Sequence, residues 1–136
     1  MTGHTFGGGC PFSLAFDYRV MNAERGFFCM VAVDFGLYFP GIGGLVKAKL
    51  KPRVARKVLL EGHRFTSKEA LLDEVVDVTA PADSMLEAAL GLAEKWKSKA
   101  KGGVFAPLRE ELLLEAHERL SRNGSLEVQS TFQPKL

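Results

Sequence analysis

Apolar residues recur with two different spacings along this chain, and the change of spacing separates strands from helices. Short apolar segments joined by turn residues fill the first third, which is typical of buried strands. After Pro52, apolar residues recur at intervals of three and four, which indicates amphipathic helices. The pattern therefore predicts an α/β fold in which the strands lie mainly in the first part and helices dominate the rest.

Short strands and one short helix are predicted around a run of glycines near the start. In order, they are a strand over Gly3–Phe6, a turn over Gly7–Gly9, a helix from Pro11 to Phe16, and strands over Asp17–Met21 and Gly26–Met30. Proline suits the first turn of a helix because its missing N–H costs nothing there. The next residues, Val31–Gly36, either extend the last strand or form a loop.

Helices are predicted for most of the chain after the glycine-rich loop that ends at Gly44. They cover Leu45–Leu50, Arg53–Leu60, a segment beginning at Thr66, Pro81–Lys101 and Pro107–Ser121, with a short strand over Glu74–Val78. Thr66 and Glu69 match a capping box, in which each side chain accepts a hydrogen bond from the other residue's backbone N–H.

Length and composition predict one intracellular domain. The chain has 136 residues, of which 46% are hydrophobic and 25% charged, enough for a single core. Two cysteines in apolar surroundings suit a reducing compartment. The domain is expected over 1–124, with a core at about 1–80 and a helical part at about 81–124, followed by a flexible tail at 125–136.

Charge and hydropathy remove several kinds of partner from consideration. The formal net charge of +2 gives no reason to expect nucleic acid or an anionic membrane surface. No apolar segment reaches the roughly 20 residues of a membrane-spanning helix, and no metal-ligand spacing involves the two cysteines. The basic cluster Lys47, Lys49, Lys51 and Arg53 has two interpretations: a phosphate-binding surface and, favoured here, a solvated helix face.

The glycine turn is the strongest candidate for chemistry. Three glycines followed by Pro11 bring unpaired backbone N–H groups and a helix N-terminus to one place. Such donors suit an oxyanion or a phosphate, and a plain strand-to-helix turn has the same pattern. Cys10 is either a nucleophile activated by the helix or a buried structural thiol; the second is favoured because no histidine is placed beside it.

The order of these motifs resembles the crotonase superfamily of enoyl-CoA hydratases and isomerases, and within it the peroxisomal Δ3,Δ2-enoyl-CoA isomerases. The segments that carry the resemblance are Gly3–Gly9, Asp17–Asn22, Val33–Gly36, Pro40–Gly44 and Leu59–Val78. It implies a truncated crotonase-like ββα-spiral fold that corresponds to the family's C-terminal half. It also implies a trimer-type homo- or hetero-oligomer and double-bond isomerisation of an acyl-CoA in fatty-acid β-oxidation.

The resemblance assigns roles to residues of the glycine turn and the later loop. The Gly8 N–H would be one donor of the oxyanion hole that holds the thioester oxygen. Gly7, Gly9, Phe35 and Pro40 would contact the substrate, and coenzyme A would enter only as part of that substrate, with no other cofactor and no metal. A second oxyanion donor is expected from the N-terminal half of the family, outside these residues.

The two glutamates that the family uses are replaced. Pro11 stands where hydratases have the first, and Ala32 stands where hydratases and isomerases share the second. Asp34 would share a strand face with position 32 and is the candidate substitute base. Two interpretations stay open: an isomerase-type enzyme, and a non-catalytic protein, either an inactive truncated paralogue or a subunit of a crotonase-type oligomer. Glu74 also replaces a glycine usual before the family's valine strand.

The last three residues, Pro134-Lys135-Leu136, resemble the Ser-Lys-Leu address of peroxisomal proteins, with proline in place of serine. This resemblance predicts a peroxisomal import receptor as a partner and the peroxisome as the location. If the tripeptide is not recognised, the cytosol is expected instead.

Overall fold

A computed structural model describes residues 1–122 and 129–130. Its α-helices are α1 (Gly9–Leu14), α2 (Ile42–Lys49), α3 (Pro52–Leu59), α4 (Ser67–Leu72), α5 (Met85–Trp96), α6 (Phe105–Leu112) and α7 (Leu114–Arg122), with a 3₁₀ helix over Lys97–Gly102. Its strands are β1 (Thr5–Phe6), β2 (Val20–Asn22), β3 (Phe28–Cys29), β4 (Leu37–Tyr38), β5 (Val78–Ala80) and β6 (Gln129–Ser130). The predicted α/β class is confirmed.

The strands form three short pairs. β1 pairs with β3 and β2 pairs with β5, both parallel, whereas β4 pairs with β6 antiparallel. Parallel partners need a crossover. The crossover from β1 to β3 contains α1 and β2, and the one from β2 to β5 contains β3, β4, α2, α3 and α4. Met1 continues the second pair, because its ammonium donates to the Val20 carbonyl at 2.7 Å and its carbonyl accepts from the Asn22 N–H at 3.0 Å.

A single hydrophobic core joins α1, β3, α2, α3 and the segment after α4. Its most buried members include Leu14, Phe28, Val46, Val58, Phe65 and Val75. α7 approaches α2 closely because α2 presents glycines: a Cβ built on Gly44 would lie 3.2 Å from the Cα of Ala116. The C-terminal helices are thereby attached to the strand-containing part.

Arg19 explains why β2 starts at Val20 and not at the predicted Asp17. Its side chain is buried, and its Nε donates to the Val75 carbonyl at 2.7 Å. Its backbone N–H donates to Asp77 Oδ2 at 2.7 Å. The segment before β2 is therefore fixed by a buried guanidinium and a carboxylate, and not by strand pairing.

The predicted strand over Glu74–Val78 is also placed too early, since β5 covers Val78–Ala80. Val75 and Val76 are buried directly after α4, where both N–H groups donate to the Ala70 carbonyl, and Glu74 adopts a φ of 58°. The long helix predicted to reach Lys101 changes to 3₁₀ geometry after Trp96. The capping box is confirmed: the Thr66 side chain accepts from the Glu69 N–H, and Glu69 accepts from the Thr66 N–H.

Candidate functional site

The glycine turn connects β1 to α1 with one left-handed residue. Gly7 has a φ of 53°, which favours glycine, and its N–H donates to the Cys29 carbonyl at 3.1 Å. Gly8 caps α1 with helical angles, φ −60° and ψ −21°. Pro11 lies in the first turn of α1, as predicted.

The Gly8 and Gly9 N–H groups are both free donors of this turn in the described part of the chain. Among residues 1–122 and 129–130, no hydrogen-bond acceptor is assigned to either of them, whereas the Gly8 carbonyl accepts from the Phe12 N–H at 3.2 Å. A Cβ built on Gly8 would meet no atom within 4 Å. The turn therefore offers an unpaired backbone donor at a residue whose Cα side is open, which is compatible with an oxyanion donor.

Cys10 is a structural thiol. Its Sγ–H donates to the Thr5 carbonyl at 3.1 Å, and the side chain is buried. Burial raises the pKa of Cys10 to about 12, which leaves no thiolate near neutral pH. The nucleophile interpretation is wrong, since α1 packs this side chain into the core.

Ala32 lies in a compact turn, and the loop alternative for Val31–Gly36 is the correct one. The Asp34 and Phe35 N–H groups donate to the Val31 carbonyl, and the Leu37 N–H donates to the Ala32 carbonyl at 2.9 Å. The methyl group of Ala32 is buried in the core cluster. Because these hydrogen bonds close a turn, residues 31–36 do not extend the preceding strand.

Asp34 does not share a face with Ala32, because the strand on which that expectation depended is absent. Its carboxylate points to Gly62, where a Cβ would lie 2.9 Å from Oδ2, and the residue is exposed. Gly62 accommodates this approach with a φ of 56°. The structure therefore does not bring the candidate substitute base beside position 32.

A cavity of about 350 Å³ opens beside Ala32. We call it the Ala32 pocket; its apolar walls include Met30, Ala32, Leu37, Phe39, Ile42 and Leu59. Tyr38 and Arg119 contribute polar groups, and no carboxylate or imidazole of the described residues lines it. An apolar cavity of this size with few polar groups is suited to the alkyl part of a ligand.

Two predicted substrate contacts lie outside this cavity. Phe35 is exposed and Pro40 is half-buried, and neither lines the Ala32 pocket, although the neighbouring Phe39 and Gly41 do. Leu59, on α3, is a wall residue that the sequence did not single out. Leu59 is half-buried, and the amphipathic pattern of α3 was the available signal.

The basic cluster is engaged with carboxylates. The pairs are Lys47 with Glu115, Lys49 with Asp17, Lys51 with Glu74 and Arg53 with Asp73. A phosphate would compete with these acidic partners, so the solvated-face interpretation agrees better with the structure. The tripeptide Pro134–Leu136 lies outside the described residues.

The described part of the chain contains neither a candidate metal site nor a candidate membrane span. No group of three or more His, Cys, Asp and Glu side chains there could hold a metal ion. No described helix has both the length and the hydropathy needed to cross a membrane.

Comparison with known proteins identifies the family. The sequence model of the enoyl-CoA hydratase/isomerase family matches residues 1–134 of the chain. The chain belongs to the enoyl-CoA hydratase/isomerase family. A carnitinyl-CoA dehydratase from Proteus mirabilis is 28% identical over 134 residues, which cover 93% of this chain and 50% of that protein. The chain thus spans about half the length of this curated relative.

Solved structures of the family share the fold. An enoyl-CoA hydratase from Mycobacterium ulcerans superimposes with a TM-score of 0.75 at 20% identity, over 88% of this chain and 54% of that one. A carnitinyl-CoA dehydratase from Mycobacterium avium gives a TM-score of 0.71 at 27% identity, over 90% and 50% of the two chains. The predicted crotonase-like fold and the superfamily are therefore confirmed.

Proposed function

We propose that this chain carries an acyl-CoA thioester site of the Δ3,Δ2-enoyl-CoA isomerase type, from fatty-acid β-oxidation. The observation that carries the proposal is the Gly8 N–H at the start of α1, which has no acceptor among the described residues. Family membership supports an acyl-CoA as the substrate. The relatives from Proteus mirabilis and Mycobacterium avium, each matched over 50% of its own length, are both named carnitinyl-CoA dehydratase. Within the site, the Gly8 N–H would donate to the thioester oxygen.

The reaction requires an oxyanion donor and a base. Removal of the C2 proton of a 3-enoyl-CoA gives a dienolate, whose negative charge rests largely on the thioester oxygen and is stabilised by backbone donors. The same proton is then delivered to C4, which moves the double bond into conjugation. The methyl group of Ala32 cannot carry that proton, so we propose that this chain binds the thioester with little or no turnover.

A non-catalytic member is the second candidate, and the Ala32 pocket favours it. The cavity contains no carboxylate among its described walls, and Pro11 and Ala32 occupy both positions where the family's glutamates are expected. In this role the chain would be an inactive truncated paralogue or a partner subunit in a crotonase-type oligomer, and no restored glutamate would give turnover.

The test compares isomerisation in matched variants. Conversion of a 3-enoyl-CoA to the conjugated 2-enoyl-CoA is followed by thioester absorbance, with Ala32→Glu and the isosteric Ala32→Gln. In this chain alone, all three proteins should show background rates. Fused behind the N-terminal half of a crotonase-type isomerase, Ala32→Glu should gain about 10²-fold or more over Ala32→Gln, which is the usual contribution of a general base.

Two outcomes would contradict this assignment. Robust turnover by the unmodified chain, lost in Asp34→Asn, would transfer the base role to Asp34. If Ala32→Glu and Ala32→Gln are equally inactive in the fusion although both bind decanoyl-CoA, the non-catalytic interpretation is correct.

The Gly8 donor is tested by binding. Gly8→Pro removes the N–H while its φ of −60° suits proline, and Gly8→Ala keeps the N–H. Loss of one hydrogen bond of about 1 kcal/mol should weaken decanoyl-CoA binding roughly fivefold in Gly8→Pro relative to Gly8→Ala. Equal affinities in the two variants would remove Gly8 from the site.

The location is proposed from the C-terminal tripeptide alone. A fluorescent protein fused in front of residues 125–136 should enter peroxisomes, through the import receptor that reads a free C-terminus. Deletion of Leu136 is the control. Diffuse cytosolic fluorescence in both fusions would end this proposal.

A further inference from the structure

A strand near the C-terminus pairs with the wall of the Ala32 pocket. β6 lies antiparallel to β4, with Leu37 opposite Ser130 and Tyr38 opposite Gln129. Both β4 residues line the pocket, and the Leu37 N–H also donates to the Ala32 carbonyl at 2.9 Å. One two-residue strand therefore joins the Ala32 turn on one side and the C-terminal segment on the other.

The pairing of β4 with β6 is short, whereas the helices next to these two strands are well packed. A two-stranded ladder of two residues is marginal in water by itself. Here both strands leave well-packed elements: α2 begins at Ile42, four residues after β4, and α7, which precedes β6, packs on α2 through Gly44 and Ala116. Because α2 and α7 are packed together, β4 and β6 stay near each other even when they are unpaired. The ladder itself has only two residue pairs, so we expect the paired and unpaired states to differ by little free energy.

We propose that β6 is a strap that orders the wall of the Ala32 pocket. When β6 is paired, β4 is held as a strand, and the turn of residues 31–36 keeps its closing hydrogen bond from Leu37 to Ala32. A ligand in the pocket would contact the same two β4 residues. Ligand binding and strap pairing then stabilise each other by the same factor, because coupling between two sites is reciprocal.

The first test needs no ligand and uses the full chain. Gln129→Pro/Ser130→Pro removes both N–H donors of β6, and Gln129→Ala/Ser130→Ala keeps them. Hydrogen–deuterium exchange of the peptide covering residues 31–39 should be at least threefold faster in the proline variant than in the alanine variant. The peptide covering α3 should exchange equally in both and reports an intact fold. Equal exchange of residues 31–39 in both variants would overturn the strap.

The second test adds decanoyl-CoA as the probe, and it depends on the proposed function. In the unmodified chain, decanoyl-CoA should slow exchange in residues 31–39 and in the peptide containing β6. Its affinity should fall at least threefold in the proline variant and stay unchanged in the alanine variant. Unchanged affinity in both variants would overturn the coupling. Absence of decanoyl-CoA binding to the unmodified chain would overturn the coupling and the proposed acyl-CoA site, whereas the ordering of residues 31–39 by β6 is decided by the ligand-free exchange alone.

Discussion

At the scale of single residues, the candidate site combines a backbone donor that is kept and a side chain that is replaced. The Gly8 N–H needs only the turn geometry of Gly7 and the start of α1, so it survives changes in side chains nearby. In the proposed isomerase-type site, base function needs one carboxylate at position 32, where this chain has Ala32. Under this proposal, binding of a thioester would persist although proton transfer is lost.

Glu74 provides a prediction about backbone strain. It is the non-glycine residue with positive φ, 58°, among those described, and it stands where the resembled family usually has glycine. The left-handed conformation costs a non-glycine residue about 1–2 kcal/mol, and the greater freedom of glycine in the unfolded chain offsets part of it. Glu74→Gly should therefore raise the free energy of unfolding by about 0.5–1 kcal/mol in urea denaturation.

The control for Glu74 separates strain from charge. Glu74→Gln keeps the side chain and the strained backbone but removes the exposed ion pair with Lys51. That pair should contribute less than about 1 kcal/mol, so this variant should be neutral or slightly less stable. If Glu74→Gly lowers the free energy of unfolding more than Glu74→Gln does, the backbone conformation of Glu74 does not destabilise the protein.

At the scale of elements, the sequence predicted features with local causes and missed those with distant ones. The capping box at Thr66 and the place of Pro11 in the first turn of α1 depend on neighbours within four residues. The start of β2 depends on Arg19 reaching Val75, 56 residues away, and no local pattern contains that contact. β6 was missed for the same reason, because its partner β4 lies far earlier in the chain, with Tyr38 opposite Gln129.

The packing of α2 against α7 provides a prediction about this element pair. Gly43 and Gly44 are adjacent, but a Cβ on Gly44 would lie 3.2 Å from the Ala116 Cα, whereas one on Gly43 would meet nothing within 4 Å. Gly44→Ala should destabilise by about 1–3 kcal/mol through overpacking. Gly43→Ala should stabilise by up to about 1 kcal/mol through helix propensity. Similar effects of both substitutions on urea denaturation would show that the helices can move apart freely.

At the scale of the whole molecule, the carboxylates of Asp17 and Asp73 connect helices that are far apart in the sequence. Burial alone would raise the pKa of Asp17, but hydrogen bonds from Arg109 on α6 and Lys49 on α2 outweigh it and hold the pKa below its usual range. The hydrogen bond from Lys57, with the nearby charge of Arg53, also lowers the pKa of Asp73. Asp17 thus joins the C-terminal helices to α2, and Asp73 joins α3 to the end of α4.

These two carboxylates predict how stability depends on pH. A carboxylate whose pKa is lowered on folding adds stability above its unfolded pKa of about 3.9, and that stability is lost as the pH falls through the lower folded value. Unfolding free energy should therefore decrease below about pH 5. Asp17→Asn/Asp73→Asn should be less stable than the unmodified chain at pH 7 and should lose less on acidification. Parallel pH profiles of the two proteins would contradict the role of these carboxylates.

The C-terminal helices leave apolar side chains on the surface, and this predicts self-association. Leu86 on α5 is 71% exposed, and Leu108 and Leu112 on α6 are 61% and 70% exposed. Burying such exposed leucines in a subunit contact would contribute about 25 cal/mol per Å² of apolar surface removed from water. Light scattering should show a mass that rises with concentration, and Leu86→Lys/Leu108→Lys should reduce it without loss of helical circular dichroism. The exposed Lys68→Ala provides a matched surface control and should leave the mass unchanged. A concentration-independent mass equal to one chain would show that these leucines stay exposed to solvent in a stable monomer. An oligomer would then have to form through another face.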